Sequence, residues 1–280
     1  VIRLAQLVLN ERSRRGREAA HLVRASLARA GIDVVEDGWP DDIGAGVDCI
    51  IAAGGDGTLV GAIGPAIARG LPLGVVPLGT FNELARTLDV PLDIDGAVAT
   101  IAAGCERTID VGRVNGCYFV NEASLGISSR ISRLQTPELK QRFGIFGVLA
   151  TAMQAFRHAR PMRAEAVYNG RREQLRTIQL TVANSHRFGG FLSVADAAID
   201  DGLLDLYSVD ITSPWEAFAI AFAMFVGRRR DVPGLKALRS KRFDVWTRRP
   251  HRITADAEPA GSTPATFEVL PKALRVYVPH

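Results

Sequence analysis

Short apolar runs alternate with amphipathic stretches over the first hundred residues, and the hydrophobic period switches with each. The run at residues 4–9 has the length of a strand, and from about Arg17 the positions Ala19, Leu22, Val23, Leu27 and Ala30 fall on one helical face. Apolar runs at 49–53 and 73–76 predict buried strands, each followed by a glycine-containing turn and a helical stretch, at 59–69 and 81–88. This alternation predicts a parallel sheet whose turns lie at the carboxyl ends of strands, where open α/β sheets bind ligands. After a helical stretch at 96–103 the texture changes. Asn115-Gly116 and Asn169-Gly170 stand between β-like runs, as tight hairpins require. The remainder reads as mainly β, interrupted by helices at about 138–158 and 214–226. The expected architecture is an α/β N-terminal domain with a parallel sheet, residues 1–106, and a mainly β, sandwich-like C-terminal domain, residues 107–280. A last strand near 273–280 can pack back on the first domain, and the boundary falls near 104–110.

A chain of 280 residues is long enough for two cores. With 47% hydrophobic and 23% charged residues it is not a disordered chain. The longest apolar run, 217–226, is bounded by Glu216 and Gly227 and falls short of the ~20 residues that cross a bilayer. The chain opens on a strand rather than on a charged and then apolar leader, and Cys49, Cys105 and Cys117 form no CxxC pair. Both features give a cytoplasmic expectation, and the cysteines give no zinc site. The net charge of +4 is modest, but arginines cluster at Arg12, Arg14, Arg15 and Arg17 and again at Arg228, Arg229 and Arg230. No aromatic platform accompanies them, so nucleic acid is not an expected partner.

The chemistry concentrates in Gly54-Gly55-Asp56-Gly57-Thr58, directly after a buried strand and before a helix. Glycines there let backbone N–H groups approach phosphate oxygens, and the helix start favours an anion. Asp56 then faces the phosphates or an attacking hydroxyl. The block is neither GxGxxG nor GxxxxGK[ST], and an ordinary strand-to-helix turn would carry the same glycines. A second block, Pro77-Leu78-Gly79-Thr80-Phe81-Asn82-Glu83-Leu84-Ala85-Arg86, again follows a buried strand and opens a helix, about twenty residues further on. With this pair the chain resembles the diacylglycerol kinase catalytic family, which includes bacterial lipid kinases and the sphingosine and ceramide kinases. Matching segments continue at Ile109 to Gly112, Asn121 with Ser124-Leu125-Gly126, Asn184 with Gly189-Gly190, Asp200 to Asp205, and Ala273 to Pro279.

The resemblance implies that ATP is bound by Asn10, Ser13, Gly54, Gly55, Gly57, Thr58, Gly79, Thr80, Asn82 and Glu83, with Asp56 central to a magnesium–triphosphate site. Asn10 and Ser13 stand in the family's NPxSG position, where this chain has Glu11 and Arg14 for Pro and Gly, and Arg14 and Arg15 could supply charge. Glu83 stands where many relatives have Asp. Asp110 is placed near the active centre, and Asp256-Ala257-Glu258 matches the family's DGE with Ala in place of Gly. If that glycine needs a positive φ, the turn here must differ. Asp56 and Asp256 both stand as candidate bases, with Glu258 as neighbour. Asp201 is implied to hold a structural magnesium with the carbonyls of Ala198 and Leu203, against the alternative of a plain Asp-Gly turn.

The function so implied is ATP-dependent transfer of the γ-phosphoryl group to a lipid hydroxyl, diacylglycerol-like or sphingoid/ceramide-like, within lipid metabolism and phospholipid biosynthesis. Expected partners are the lipid, an anionic membrane surface at the inner face, and a second copy of the chain in a homodimer. Docking would use the helix with Phe143, Phe146, Arg157 and Arg160, or the one that ends at Arg228 to Arg230. Trp215, Phe218, Phe222 and Phe225 at helical spacing suit a core or a lipid groove. Two alternatives stand beside this reading: an NAD kinase-like enzyme with a soluble substrate, which shares GGDGT, and a catalytically silent lipid- or nucleotide-binding regulator.

Overall fold

The computed structural model describes residues 2–11, 14–36, 43–127, 160–185, 187–188, 192–193, 198–210, 216 and 234–280. Ser13, Arg12, His186, Gly189, Gly190, Arg228 to Arg230 and the expected helices at 138–158 and, apart from Glu216, at 214–226 lie outside the described residues. The chain divides into two compact units, Val1–Val111 with Leu270–His280, and Gly112–Val269.

The chain runs in order through β1 (Leu4–Leu9), α1 (Arg14–Arg29), β2 (Asp33–Val35), β3 (Cys49–Gly54), α2 (Asp56–Arg69), β4 (Leu73–Pro77), α3 (Glu83–Thr87), α4 (Ile94–Ala103) and β5 (Glu106–Val114). It continues through β6 (Cys117–Phe119), β7 (Glu122–Gly126), β8 (Met162–Tyr168), β9 (Arg171–Thr177), β10 (Gln179–Ala183), the short β11 (Arg187–Phe188) and β12 (Leu192–Ser193), and β13 (Leu204–Val209). The last strands are β14 (Leu235–Ser240), β15 (Arg242–Thr247), β16 (Arg252–Ala255), β17 (Glu258–Ser262) and the long β18 (Ala265–Tyr277). No helix of the described residues is long and apolar enough to cross a membrane.

In the first unit β1 pairs in parallel with β2 and β3, β3 with β4, and β4 with the end of β18, where Leu73 faces Val276. Every residue of β3 is buried, as a central parallel strand requires, because helices cover both faces of such sheets. Ile50 and Ile51 are fully buried, each stabilising by roughly 1.5–3 kcal/mol. One register position fixes the chemistry. Gly54 lies opposite Pro77, so the two glycine-rich blocks leave the sheet side by side.

The helices depart from the sequence expectation at their starts. α1 begins at Arg14 and α2 at Asp56, each three residues early, whereas α3 shrinks to Glu83–Thr87. The cause in α3 is Asn82, whose φ of 49° lies in the left-handed region and ends the helix on its N-terminal side. α4 is capped by Asp93, which accepts the Gly96 amide at 2.7 Å, and is fastened to α1 where Ser26 Oγ donates to Asp95 at 2.6 Å. β5 is one strand from Glu106 to Val114, and the division between the units, after Val111, lies within it.

The second unit is built from antiparallel strands. One sheet has the order β14-β13-β10-β7-β16-β17, and the other set comprises β9, β8, β15 and the first half of β18. Phe119, Leu125, Leu180, Leu206, Phe243 and Phe267 join one buried cluster drawn from both sheets, which is the core of a sandwich. Asn115 and Asn169 take φ of 49° and 47° before Gly116 and Gly170 at 82° and 72°, the primed turns that the Asn-Gly pairs predict.

Candidate active site

The two glycine blocks form one structure. Leu78 N–H donates to the Gly54 carbonyl at 2.8 Å, and the Asp56 carboxylate accepts the amides of Asn82 at 3.2 Å and Glu83 at 2.8 Å. Asn82 closes its own turn: its Oδ1 accepts the Gly79 amide at 2.8 Å and its Nδ2 donates to the Gly79 carbonyl at 3.1 Å. The glycines are required by contact. A Cβ on Gly79 would stand 2.7 Å from the Gly55 Cα and 2.6 Å from Asn82 Oδ1, so the turns touch through bare backbone. α2 has Gly55 as its N-cap and no side-chain cap, which leaves its first turn suited to an anion.

Burial pushes the Asp56 carboxyl above the ordinary aspartate range, and the amides of Glu83, Asn82 and Asp56 itself partly offset this. Asn10, at the end of β1, donates its amide to Ala53 at 3.3 Å and so stands beside the Gly54 turn. Arg15, on the first turn of α1, donates from Nη1 to the Gly79 carbonyl at 3.2 Å, which brings a cation to the same turns. Thr58 is half-buried, Gly57 and Thr80 are exposed. Of the residues expected to bind nucleotide, Asn10, Gly54 to Thr58 and Gly79 to Glu83 are gathered here, and Ser13 is outside the described residues. With three backbone amides on its two oxygens, the Asp56 carboxylate is still an anionic oxygen donor of the kind that suits a magnesium ion held mostly by phosphate oxygens.

Asp110, also in the first unit, is buried and accepts the Lys272 amide at 2.7 Å. Lys272 has a φ of 50°, so this carboxylate secures an irregular turn within β18. The sequence signal for that turn is Pro271, since proline inside a strand marks a bulge.

In the second unit Asp256 is buried, and its oxygens accept three successive amides: Val120 at 2.7 Å, Asn121 at 3.1 Å and Glu122 at 2.9 Å. Asn184 holds the same segment from another strand end, donating Nδ2 to the Val120 carbonyl at 2.9 Å. Sequence reasoning picked out Asn121 and Asn184 without seeing that they form one clasp with Asp256. The turn at Asp256-Ala257 keeps left-handed backbone at both residues, φ 43° and 71°, so Ala257 adopts the conformation a glycine would take there. The expected change of turn does not occur. The alanine instead carries a strain of about 1–2 kcal/mol. Glu258 is exposed, and its side chain makes no hydrogen bond or ion pair among the described residues.

Asp201 sits in a turn of its own. Its Oδ1 accepts the Leu203 amide at 2.9 Å, its Oδ2 the Ala198 amide at 3.3 Å, and Arg239 is ion-paired with Oδ2. The described residues contain no cluster of three His, Cys, Asp or Glu suited to a metal ion. Cys49 faces Tyr277 in the core, where burial pushes its thiol up to about 12, so it is inert at neutral pH.

Two stitched glycine turns on a parallel sheet and a β sandwich that carries its own carboxylates are the features to set beside known proteins. Residues 5–114 match the family model of the diacylglycerol kinase catalytic domain, and residues 121–278 match that of the YegS C-terminal NAD kinase beta sandwich-like domain. A diacylglycerol kinase of Bacillus subtilis (strain 168) is 31% identical over 237 residues, 83% of this chain and 78% of that protein. One of Staphylococcus aureus (strain bovine RF122 / ET3-1) is 29% identical over 236 residues, 83% and 75% of the two chains. The fold is similar to the crystal structure of a diacylglycerol kinase from Bacillus anthracis str. Sterne, with a TM-score of 0.77 at 21% identity over 99% of this chain and 97% of that one. The chain belongs to the diacylglycerol kinase catalytic domain family, and membership of a kinase family implies the use of ATP.

Proposed function

We propose that this protein transfers the γ-phosphoryl group of ATP to a hydroxyl of a lipid, diacylglycerol-like or sphingoid/ceramide-like. The observation that carries the reading is the joining of Gly54–Thr58 to Gly79–Glu83 through Asp56 and the Leu78 amide, since it aims glycine backbone and one carboxylate at a common point. Phosphoryl transfer asks of a protein mainly positioning and charge neutralisation. The bare turns supply close backbone approach for phosphate oxygens, and Arg15 adds a positive charge at the Gly79 turn. Magnesium bound with ATP would supply charge neutralisation across the phosphates, with Asp56 as its protein ligand. Asp110 and Asp256 act as positioning residues in this reading, because each is already engaged by backbone amides and fixes a turn. Glu258, the exposed carboxylate of the acidic pair, is the one proposed to receive the proton of an attacking hydroxyl. An aliphatic alcohol is far less acidic than any carboxylic acid, so this proton moves late and orientation contributes more than basicity.

The reading extends to docking on an anionic membrane surface by Arg157, Arg160 and Arg228 to Arg230, of which Arg160 alone lies among the described residues, where it is exposed. A panel of diacylglycerol, monoacylglycerol, sphingoid base and ceramide in mixed micelles, with labelled ATP and chromatography of the products, tests the function. Phosphorylation of one lipid, with NAD unchanged, is the expected result. Phosphorylation of NAD alone would replace this reading with the soluble-substrate one, and turnover of neither would leave a binding protein.

A further inference from the structure

The resemblance that led to the kinase reading implies a structural divalent cation at Asp201, bound with the carbonyls of Ala198 and Leu203. The donor set in the structure does not fit one. Around the Asp201 carboxylate converge two N–H groups, from Leu203 at 2.9 Å and Ala198 at 3.3 Å, and the guanidinium of Arg239 on Oδ2. These are positive ends of dipoles and a full positive charge, an environment complementary to the carboxylate and repulsive to a second cation. Arg239 is itself fixed from two sides. Its residue pairs directly with Asp205 across β13 and β14, and its Nε stands 3.5 Å from Asp205 Oδ1. The guanidinium therefore bridges the carboxylates of the 198–203 turn and of the strand that follows it. An arginine cannot lose its charge in the accessible pH range and presents a planar fork to two carboxylates, which a hydrated metal ion would otherwise join.

We propose that Arg239 is the built-in cation of this turn and takes the place of a structural metal, so that the turn is held without any divalent ion. The claim concerns folding of the second unit and does not depend on which substrate the protein phosphorylates. It predicts that the nucleotide-free protein unfolds at the same temperature in EDTA and in millimolar magnesium or calcium. Arg239→Gln, which removes the charge and keeps a polar stem, should lower that temperature by about 3 °C or more, in line with the loss of charged hydrogen bonds in a domain of this size. Asp201→Asn should lower it similarly, and the double variant should fall by less than the sum of the two. A rise in the wild-type unfolding temperature with magnesium or calcium that Asp201→Asn abolishes would overturn the proposal. So would an Arg239→Gln protein that unfolds at the wild-type temperature. Neither outcome bears on ATP turnover, so a failure here stays separate from a failure of the kinase reading.

Discussion

Asp56 Oδ1 accepts the amide of Glu83 at 2.8 Å across 27 positions of sequence, and through this bond the helix that follows one glycine turn organises the start of the helix that follows the other. The carboxylate thus joins the turns, and in the proposed function it has a second task, to face the bound phosphates.

Replacing Asp56 by Asn should separate those tasks only in part. The carboxamide keeps one acceptor but sets an N–H₂ group against an amide, at a cost of about 1–3 kcal/mol. The protein should stay folded by circular dichroism, while lipid phosphorylation falls at least ~100-fold. Normal turnover by folded Asp56→Asn protein would remove Asp56 from the chemistry.

The pH dependence has a defined sign. Because burial raises the folded-state pKa of Asp56, the folded protein holds this proton more tightly than the unfolded chain. Stability from this group is therefore present at low pH and is lost as pH rises from the ordinary aspartate value through the raised one. Chemical denaturation across that window should show Asp56→Asn gaining on the wild type as pH increases. Activity should move the other way, rising over the same window as the carboxylate ionises. An identical pH slope in the two proteins would show that Asp56 does not titrate there.

Two glycine-to-alanine changes make a matched pair. At Gly79 the new methyl meets the Gly55 Cα at 2.7 Å, and backbone cannot yield cheaply. Gly79→Ala should raise the KM for ATP several-fold or more and destabilise the protein. At Gly61, inside α2, a Cβ meets nothing within 4 Å, and Gly61→Ala should stabilise by about 0.5–1 kcal/mol with kinetics unchanged. Equal effects at the two sites would refute the close approach of the turns.

The acidic pair of the second unit should divide by role. Asp256→Asn removes an acceptor from three amides and should cost about 2 kcal/mol of stability along with activity. Glu258→Gln should leave the unfolding transition unchanged and lower kcat with little change in the KM for ATP. The strained neighbour offers a third variant: Ala257→Gly relieves left-handed strain at the expense of a more flexible unfolded chain, for a net gain of up to about 1 kcal/mol.

How far the sequence foretold this arrangement depends on the range of the interactions. Strands β1, β3 and β4 were legible because a central parallel strand must be apolar throughout, and the Asn-Gly turns because their backbone conformation excludes most other residues. The gathering of Asn10, Gly54 and Gly79 followed from placing each after a strand. β2 at Asp33–Val35 was missed, since three residues give too short a pattern. The clasp of Asp256 on Val120 to Glu122, and the bond from Asp110 to Lys272, span more than 130 positions and rest on backbone amides, which leave no mark on residue type. Arg239 escaped notice for a related reason, because a surface arginine on a strand looks the same whether it faces water or a carboxylate.

The first unit is discontinuous along the chain, since its sheet takes its last strand from the end of β18, after the whole second unit has been made. On the ribosome, therefore, β4 spends most of synthesis with one edge unpaired. An exposed parallel strand edge is a hazard for association with other nascent chains. The order of manufacture thus obliges the sheet of the first unit to wait for residues 270–280, and a stall within the sandwich should leave a nascent chain unusually dependent on chaperones.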